Sequence, residues 1–196
     1  MNALALTLLI PLAATISMAL FGQKKSAGYF NVVVSFAQFI ASLFLTSIVF
    51  KHGHVGEIDS QFYIDSFNVY LIALTALVGA TTALFSRPYM EQEQQNGRLS
   101  TARMRLYHAS YQGFLFTMQL ALSTNNLGIL WVALEGATLA TVLLVSLYRT
   151  PAAIEAAWKY FIICGVGIAQ ALFGTVLIYF AAAQVIPNPE QALLWR

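Results

Sequence analysis

Apolar residues gather in six runs along this chain, each near the ~20 residues that a helix needs to cross ~30 Å of hydrocarbon. They cover residues 3–21, 29–50, 63–85, 106–122, 127–148 and 152–183. The pattern predicts an all-α fold, a polytopic transmembrane bundle of about six helices forming a single membrane domain over residues 1–196. Pro11 lies inside the first run, where neighbouring helices can repair the lost backbone bond and a kink is expected. Only residues 123–126 join the fourth and fifth runs, so these two helices must be antiparallel neighbours. Thr150 and Pro151 read as an N-cap followed by a proline at the first helical position, which fixes where the sixth helix begins.

Composition agrees with the pattern. Hydrophobic residues make up 59% and charged residues 9% of the 196, against ~25% charged in an ordinary soluble domain. The lipid bilayer is therefore the expected surrounding, and the dispersed net charge of +2 excludes a nucleic-acid footprint. A single cysteine, Cys164, supports neither a disulfide framework nor a thiolate metal or iron–sulfur site. There is no phosphate-binding glycine loop, no nucleophile beside a base and no cofactor fingerprint. We expect no catalytic residue, metal or cofactor in the chain, and redox chemistry only on a partner. The first run has no basic residue before it, which reads as a retained helix rather than a cleaved signal.

Lys and Arg are unevenly shared between the connecting segments. Lys24, Lys25, Arg87, Arg98, Arg103, Arg105 and Arg149 fall on one side, Lys51 and Arg196 on the other. The positive-inside rule then puts the loops after the first, third and fifth helices in the cytoplasm and both termini outside, in a bacterium the periplasm.

Two ionisable residues sit well inside apolar runs: Glu135 in NNLGILWVALEGATLATVLLVSLY and Lys159 in AAWKYFIICGVGIAQALFGTVLIY. A charge at mid-bilayer costs about 2.5–3.5 kcal/mol, so each needs a reason. At ~1.5 Å per residue Lys159 lies ~12 Å and Glu135 ~20 Å into the membrane, a difference that two side chains and one water can bridge. Three readings stay open. The two form a pair whose separation moves a proton; or a static ion pair that fixes helix register; or Lys159 pairs instead with Glu155, four residues earlier in the favourable order.

Other polar residues carry less. Asp65, at the mouth of the third helix, caps it or snorkels to water, with ion handling as the alternative. His108 is an interfacial side chain near the start of the fourth helix, or a proton relay. His52, His54, Glu57 and Asp59 read as solvated loop surface rather than a metal cluster. Residues 86–105 read as a solvated connector that can also dock a peripheral subunit. Gly165, Gly167, Ala169, Ala171 and Gly174 predict close packing of the sixth helix on its neighbours.

The runs NNLGILWVALEGATL and TPAAIEAAWKYFIICGVGIAQALFG, with YIDSFN in the third helix, resemble the antiporter-like membrane subunits of respiratory complex I. They look most like the F component of hydrogenase-4 and formate hydrogenlyase complexes. The resemblance implies that Glu135 is the acidic member of a Glu–Lys pair in a proton half-channel, with Lys159 in the same polar region. It also implies a bacterial inner membrane, other membrane and peripheral subunits of a multisubunit redox complex as partners, and protons as cargo. Subunits of multisubunit sodium/proton antiporters share the ancestry, and a non-transporting scaffold is the remaining alternative. That family has about fourteen helices in two inverted five-helix repeats. This chain matches the first part, and its last residues, PNPEQALLWR, look like the start of the loop before a seventh helix. We therefore expect a fragment, a split subunit or a truncated product.

Overall fold

Each apolar run becomes a helix in the structure, a computed structural model that describes residues 3–24, 26–57, 60–186 and 191–195. The helices are α1 (Ala3–Phe21), α2 (Ala27–His52), α3 (Ser66–Gln95), α4 (Thr101–Ser123), α5 (Leu127–Val145) and α6 (Pro151–Ala183). Lys25, Asp59, Arg196, the Glu57 side chain and the residues 187–190 of the last loop lie outside the described residues. Side-chain caps begin several helices by accepting backbone N–H groups that have no partner inside the helix. Asp65 Oδ1 accepts from Phe67 N at 3.0 Å and Asn68 N at 2.9 Å. Asn126 Oδ1 accepts from Gly128 N and Ile129 N, and Thr150 Oγ1 from Ala153 N at 3.1 Å beside Pro151.

Two elements depart from the expected pattern. Between α2 and α3 the chain makes a small antiparallel ribbon, β1 (Val55–Glu57) on β2 (Phe62–Ile64), with Val55 opposite Ile64. The larger departure is α3, which runs on from the expected end at residue 85, through Pro88, to Gln95. Its charged residues are ordered on the helix rather than spread along a solvated connector: Arg87 and Glu91 share one face, and Glu93 is buried beside Met90's face. Arg87 Nε donates to Glu91 Oε1 at 2.9 Å, and the guanidinium stacks 3.3 Å over the Tyr29 ring. On the other face Met90 is buried with Leu99, Met104, Tyr107 and Leu147. Helix α4 likewise starts early, its Ser100 cap accepting from Arg103 N. The connector shrinks to residues 96–100, closed by the Arg98–Glu93 ion pair and by Gly97 at φ +73°.

Helix α4 occupies the middle, against α1, α3 and α5, while α2 packs on α1 and α3 and α6 touches α5. Five helices are long and apolar enough to cross a membrane; α4 is not. Its polar side chains explain this, since His108, Gln112, Gln119 and Ser123 are all buried against neighbouring helices. Apolar side chains instead face outward, among them Phe30, Val33, Ile40, Phe44, Leu74 and Val78. That inversion suits a surface solvated by lipid, where burial of apolar groups gives helices no driving force to associate.

The two ends of the bundle differ. At one, Asn125 N donates to Gln61 O at 2.7 Å, Asn126 Nδ2 to Gln61 Oε1 at 2.6 Å, and Trp195 N to Asn125 O at 2.8 Å. The α4–α5 turn thus ties together the ribbon and the last described segment. At the other end stand Lys24, Arg87, Arg98, Arg103, Arg105 and Arg149, against Lys51 at the first.

Candidate functional site

Helices α5 and α6 carry Glu135 and Lys159, and two contacts fix how the helices meet. Trp131 Nε1 on α5 donates to Ile168 O on α6 at 2.8 Å. Toward the other end, Leu139, Val142 and Leu143 face Ala157 and Phe161 across an apolar groove of about 440 Å³. With those two levels fixed, antiparallel register brings Glu135, one turn on from Trp131, opposite Cys164 and Gly165. Glu135 is half-buried, near the middle of α5, and among the described residues it has neither a hydrogen bond nor an ion-pair partner.

Lys159 goes elsewhere. Its ammonium donates to Glu155 Oε1 at 2.5 Å, and both side chains are about two-thirds exposed. The cause is the rotation of α6. Its single buried residue among those described is Ala157, and Glu155 and Lys159 lie two residues to either side, on the face turned away from α5. The structure therefore brings Glu155 and Lys159 together and leaves Glu135 apart from both. The same rotation corrects the packing expected of α6: a Cβ added at Gly165, Gly167 or Gly174 meets no atom within 4 Å. Close approach occurs instead at Gly79 against Leu115 and at Gly136 against Thr117, where an added Cβ would lie 2.7 and 2.8 Å from a side-chain carbon.

Asp65 is the α3 cap described above. His108 is not an interfacial side chain: it is 3% exposed, edge-on to the Tyr107 ring, with Nδ1 unpartnered among the described residues. His52 Nδ1 lies 3.0 Å from Ile48 O, and the His54 ring stacks on Tyr63. The described residues contain no grouping of His, Cys, Asp or Glu suited to a metal ion.

A polar stripe on α2 was missed in the sequence: Asn31, Ser35, Gln38 and Ser42 are at most 2% exposed. Gln112 Nε2 on α4 donates to Asn31 Oδ1 at 2.7 Å and to Ser35 Oγ at 3.0 Å. The signal was present in the spacing: polar residues at i, i+4, i+7 and i+11 in an otherwise apolar run mark one helical face.

Residues 124–187 match the family described as NADH:quinone oxidoreductase/Mrp antiporter, TM. Over 191 residues, 97% of its length, the chain is 44% identical to a hydrogenase-4 component F homolog of Methylacidiphilum infernorum (isolate V4), covering 39% of it. It is 30% identical over 160 residues, 80% of the chain, to the NADH-quinone oxidoreductase subunit N of Herminiimonas arsenicoxydans, covering 32% of that protein. A chain in the solved structure of membrane-bound sulfane sulfur reductase, an archaeal respiratory membrane complex, shares the fold with a TM-score of 0.76 at 20% identity. That likeness covers 92% of this chain and 37% of the other. The chain thus spans well under half the length of these relatives.

Proposed function

Since the chain belongs to the antiporter-like membrane subunits of the complex I and hydrogenase-4 superfamily, we propose that it forms part of a proton-translocating membrane arm. The complex is of the hydrogenase-4, formate hydrogenlyase or NADH dehydrogenase-like kind, in a bacterial inner membrane. Electron transfer takes place on partner subunits, and this single membrane domain contributes to the proton movement coupled to it. The arginine-bearing end faces the cytoplasm and both termini face outward, a reading supported by the positions of Lys24, Arg87, Arg98, Arg103, Arg105 and Arg149.

One observation carries the proposal: Glu135 is a carboxyl half-buried at mid-helix, with no cation bound to it among the described residues. A static ion pair would have consumed it. Left unpaired in the seam, the carboxyl has no structural partner to account for it, which supports a place on the proton path. Lys159 and Glu155 form the neighbouring polar position on the outer face of α6. Asp65 acts as a cap and has no transport role in this reading. His108 belongs to a separate interior considered next.

The test is Glu135→Gln in the full-length protein within its assembled complex. Glutamine keeps size and hydrogen bonding but removes the titratable proton, so proton translocation per electron pair should fall while assembly and electron transfer persist. Unchanged translocation would dismiss the role of Glu135. The matching family description also covers Mrp antiporters, which favours sodium/proton exchange as the second reading. Translocation that requires sodium would select it.

A further inference from the structure

The interior between α1, α2, α3 and α4 is polar where a membrane bundle has most reason to be dry. Asn31, Ser35, Gln38 and Ser42 share one face of α2 and His108, Gln112 and Gln119 one face of α4, and the most exposed of these seven is His108, at 3%. Gln112 Nε2 bonds Asn31 and Ser35, and Gln119 Nε2 donates to Ile72 O at 3.1 Å. Five atoms remain without a hydrogen-bond partner among the described residues: both heteroatoms of the Gln38 amide, Gln112 Oε1, Gln119 Oε1 and His108 Nδ1. Turning an amide over exchanges which atom is unpaired and adds no partner. A buried polar group left unsatisfied is costly, and lipid supplies no remedy from outside. Five in one column are not tolerable in a dry core.

The column also has an opening. At the arginine-bearing end a cleft of about 50 Å³, rimmed by Lys24, Arg87, Glu91 and Gln94, ends on Met104 and His108. A water needs roughly 10–15 Å³ of such space and 2–4 polar partners. Gln112 lies one turn beyond His108. Helices α2 and α4 both run away from this end, and Gln112 bonds both Asn31 and Ser35, so Gln119, seven residues further on, falls level with the stretch from Gln38 to Ser42. At 1.5 Å per residue the distance from His108 to Gln119 is about 16 Å, roughly half the hydrocarbon thickness.

We propose that His108, Gln112, Gln38 and Gln119 line a file of bound waters running from this cleft to the middle of the α1–α4 bundle. Water donates to the three unpaired acceptors, Gln112 Oε1, Gln119 Oε1 and Gln38 Oε1, and accepts from Gln38 Nε2; His108 Nδ1 is bonded to the first water in whichever sense its tautomer requires. The file lies on the α2 side of α4, whereas Glu135 sits beyond the opposite side, in the α5–α6 seam. It therefore holds whether or not Glu135 carries protons.

Silver ion, small enough for a single-file aqueous path and reactive toward thiols only where water reaches them, is the probe. Gln38→Cys and Ser35→Cys are made in the full-length protein in its membranes, with Leu45→Cys as a control. Leu45 is fully buried on the same helix, in an apolar cluster. Silver protection of each thiol against later alkylation is read by site-resolved mass spectrometry, so native Cys164 stays in place. The file predicts protection at Gln38→Cys and Ser35→Cys at least tenfold faster than at Leu45→Cys. Rates as slow as the control at both positions would show a dry interior and overturn the proposal. Should Gln38→Cys fail to assemble, the near-isosteric Ser35→Cys and Ser42→Cys decide by the same comparison.

Discussion

Lys159 donates to Glu155, one turn back on its own helix and on the face turned away from α5, while Glu135 lies in the α5–α6 seam with no ion-pair partner among the described residues. The partner of Lys159 decides which double substitution restores the protein. An unpaired charge inside the membrane costs about 2.5–3.5 kcal/mol at mid-bilayer and less toward the surface, where a side chain can snorkel. Lys159→Met strands the Glu155 carboxylate and should lower the yield of assembled complex; Glu155→Gln strands the ammonium and should do the same. Glu155→Gln/Lys159→Met should assemble at close to the native level. If Glu135→Gln/Lys159→Met restores assembly instead, the local pair is not the one that matters.

The proposed orientation rests on which end of the bundle carries the basic residues. Asn96 is exposed in the short α3–α4 connector and His52 is exposed at the far end of α2. A membrane-impermeant maleimide should label Asn96→Cys only in inverted vesicles and His52→Cys only in intact cells. The reverse result would invert the topology.

Asn126 has two separable jobs. Its Oδ1 caps α5, and its Nδ2 donates to Gln61 Oε1 on the neighbouring loop. Asn126→Ala removes both and should lower stability by about 1–2 kcal/mol, the cap supplying most of it. Asn126→Asp keeps the cap but turns a carboxylate toward Gln61 Oε1, so thermal unfolding in detergent should place it between native and alanine.

Gly22 closes α1 where the chain turns beside α4. An added Cβ would clash with the Met18 carbonyl oxygen and lie 3.3 Å from the Arg105 backbone. Backbone cannot yield as a side-chain tip can, so Gly22→Ala should cost about 1–3 kcal/mol and loosen the α1–α4 contact. Its signature would be a lower unfolding temperature and faster proteolysis near residues 22–26.

Much of this arrangement was legible in the residues. Thr150 and Pro151 start α6 where a cap and proline should, Asp65 caps α3, and the four residues between α4 and α5 make them antiparallel neighbours. The end of α3 was not legible, because Pro88, Glu91 and Glu93 look like connector until Tyr29, Met104 and Leu147 are known to cover that turn. The partner of Lys159 was open for a different reason. Helix α6 is apolar nearly all round, so no stripe marks which face meets α5, and spacing alone allows Glu155 and Glu135 equally. For Glu135 itself, rarity was the signal: a carboxylate in the middle of an apolar run stands out without any knowledge of packing.

Helix α3 has 30 residues, which at 1.5 Å each gives about 45 Å against ~30 Å of hydrocarbon. Its last turns must stand clear of the lipid as a rigid mast, steadied at its foot by the stack of Arg87 on Tyr29 and at its tip by Glu93 holding Arg98. A mast of that length turns small angles into distances: a tilt of about 5° at the opposite face of the bilayer moves the tip by about 4 Å. Any rearrangement deep in the bundle that leans α3 is thereby delivered, magnified, to the turn that joins it to α4.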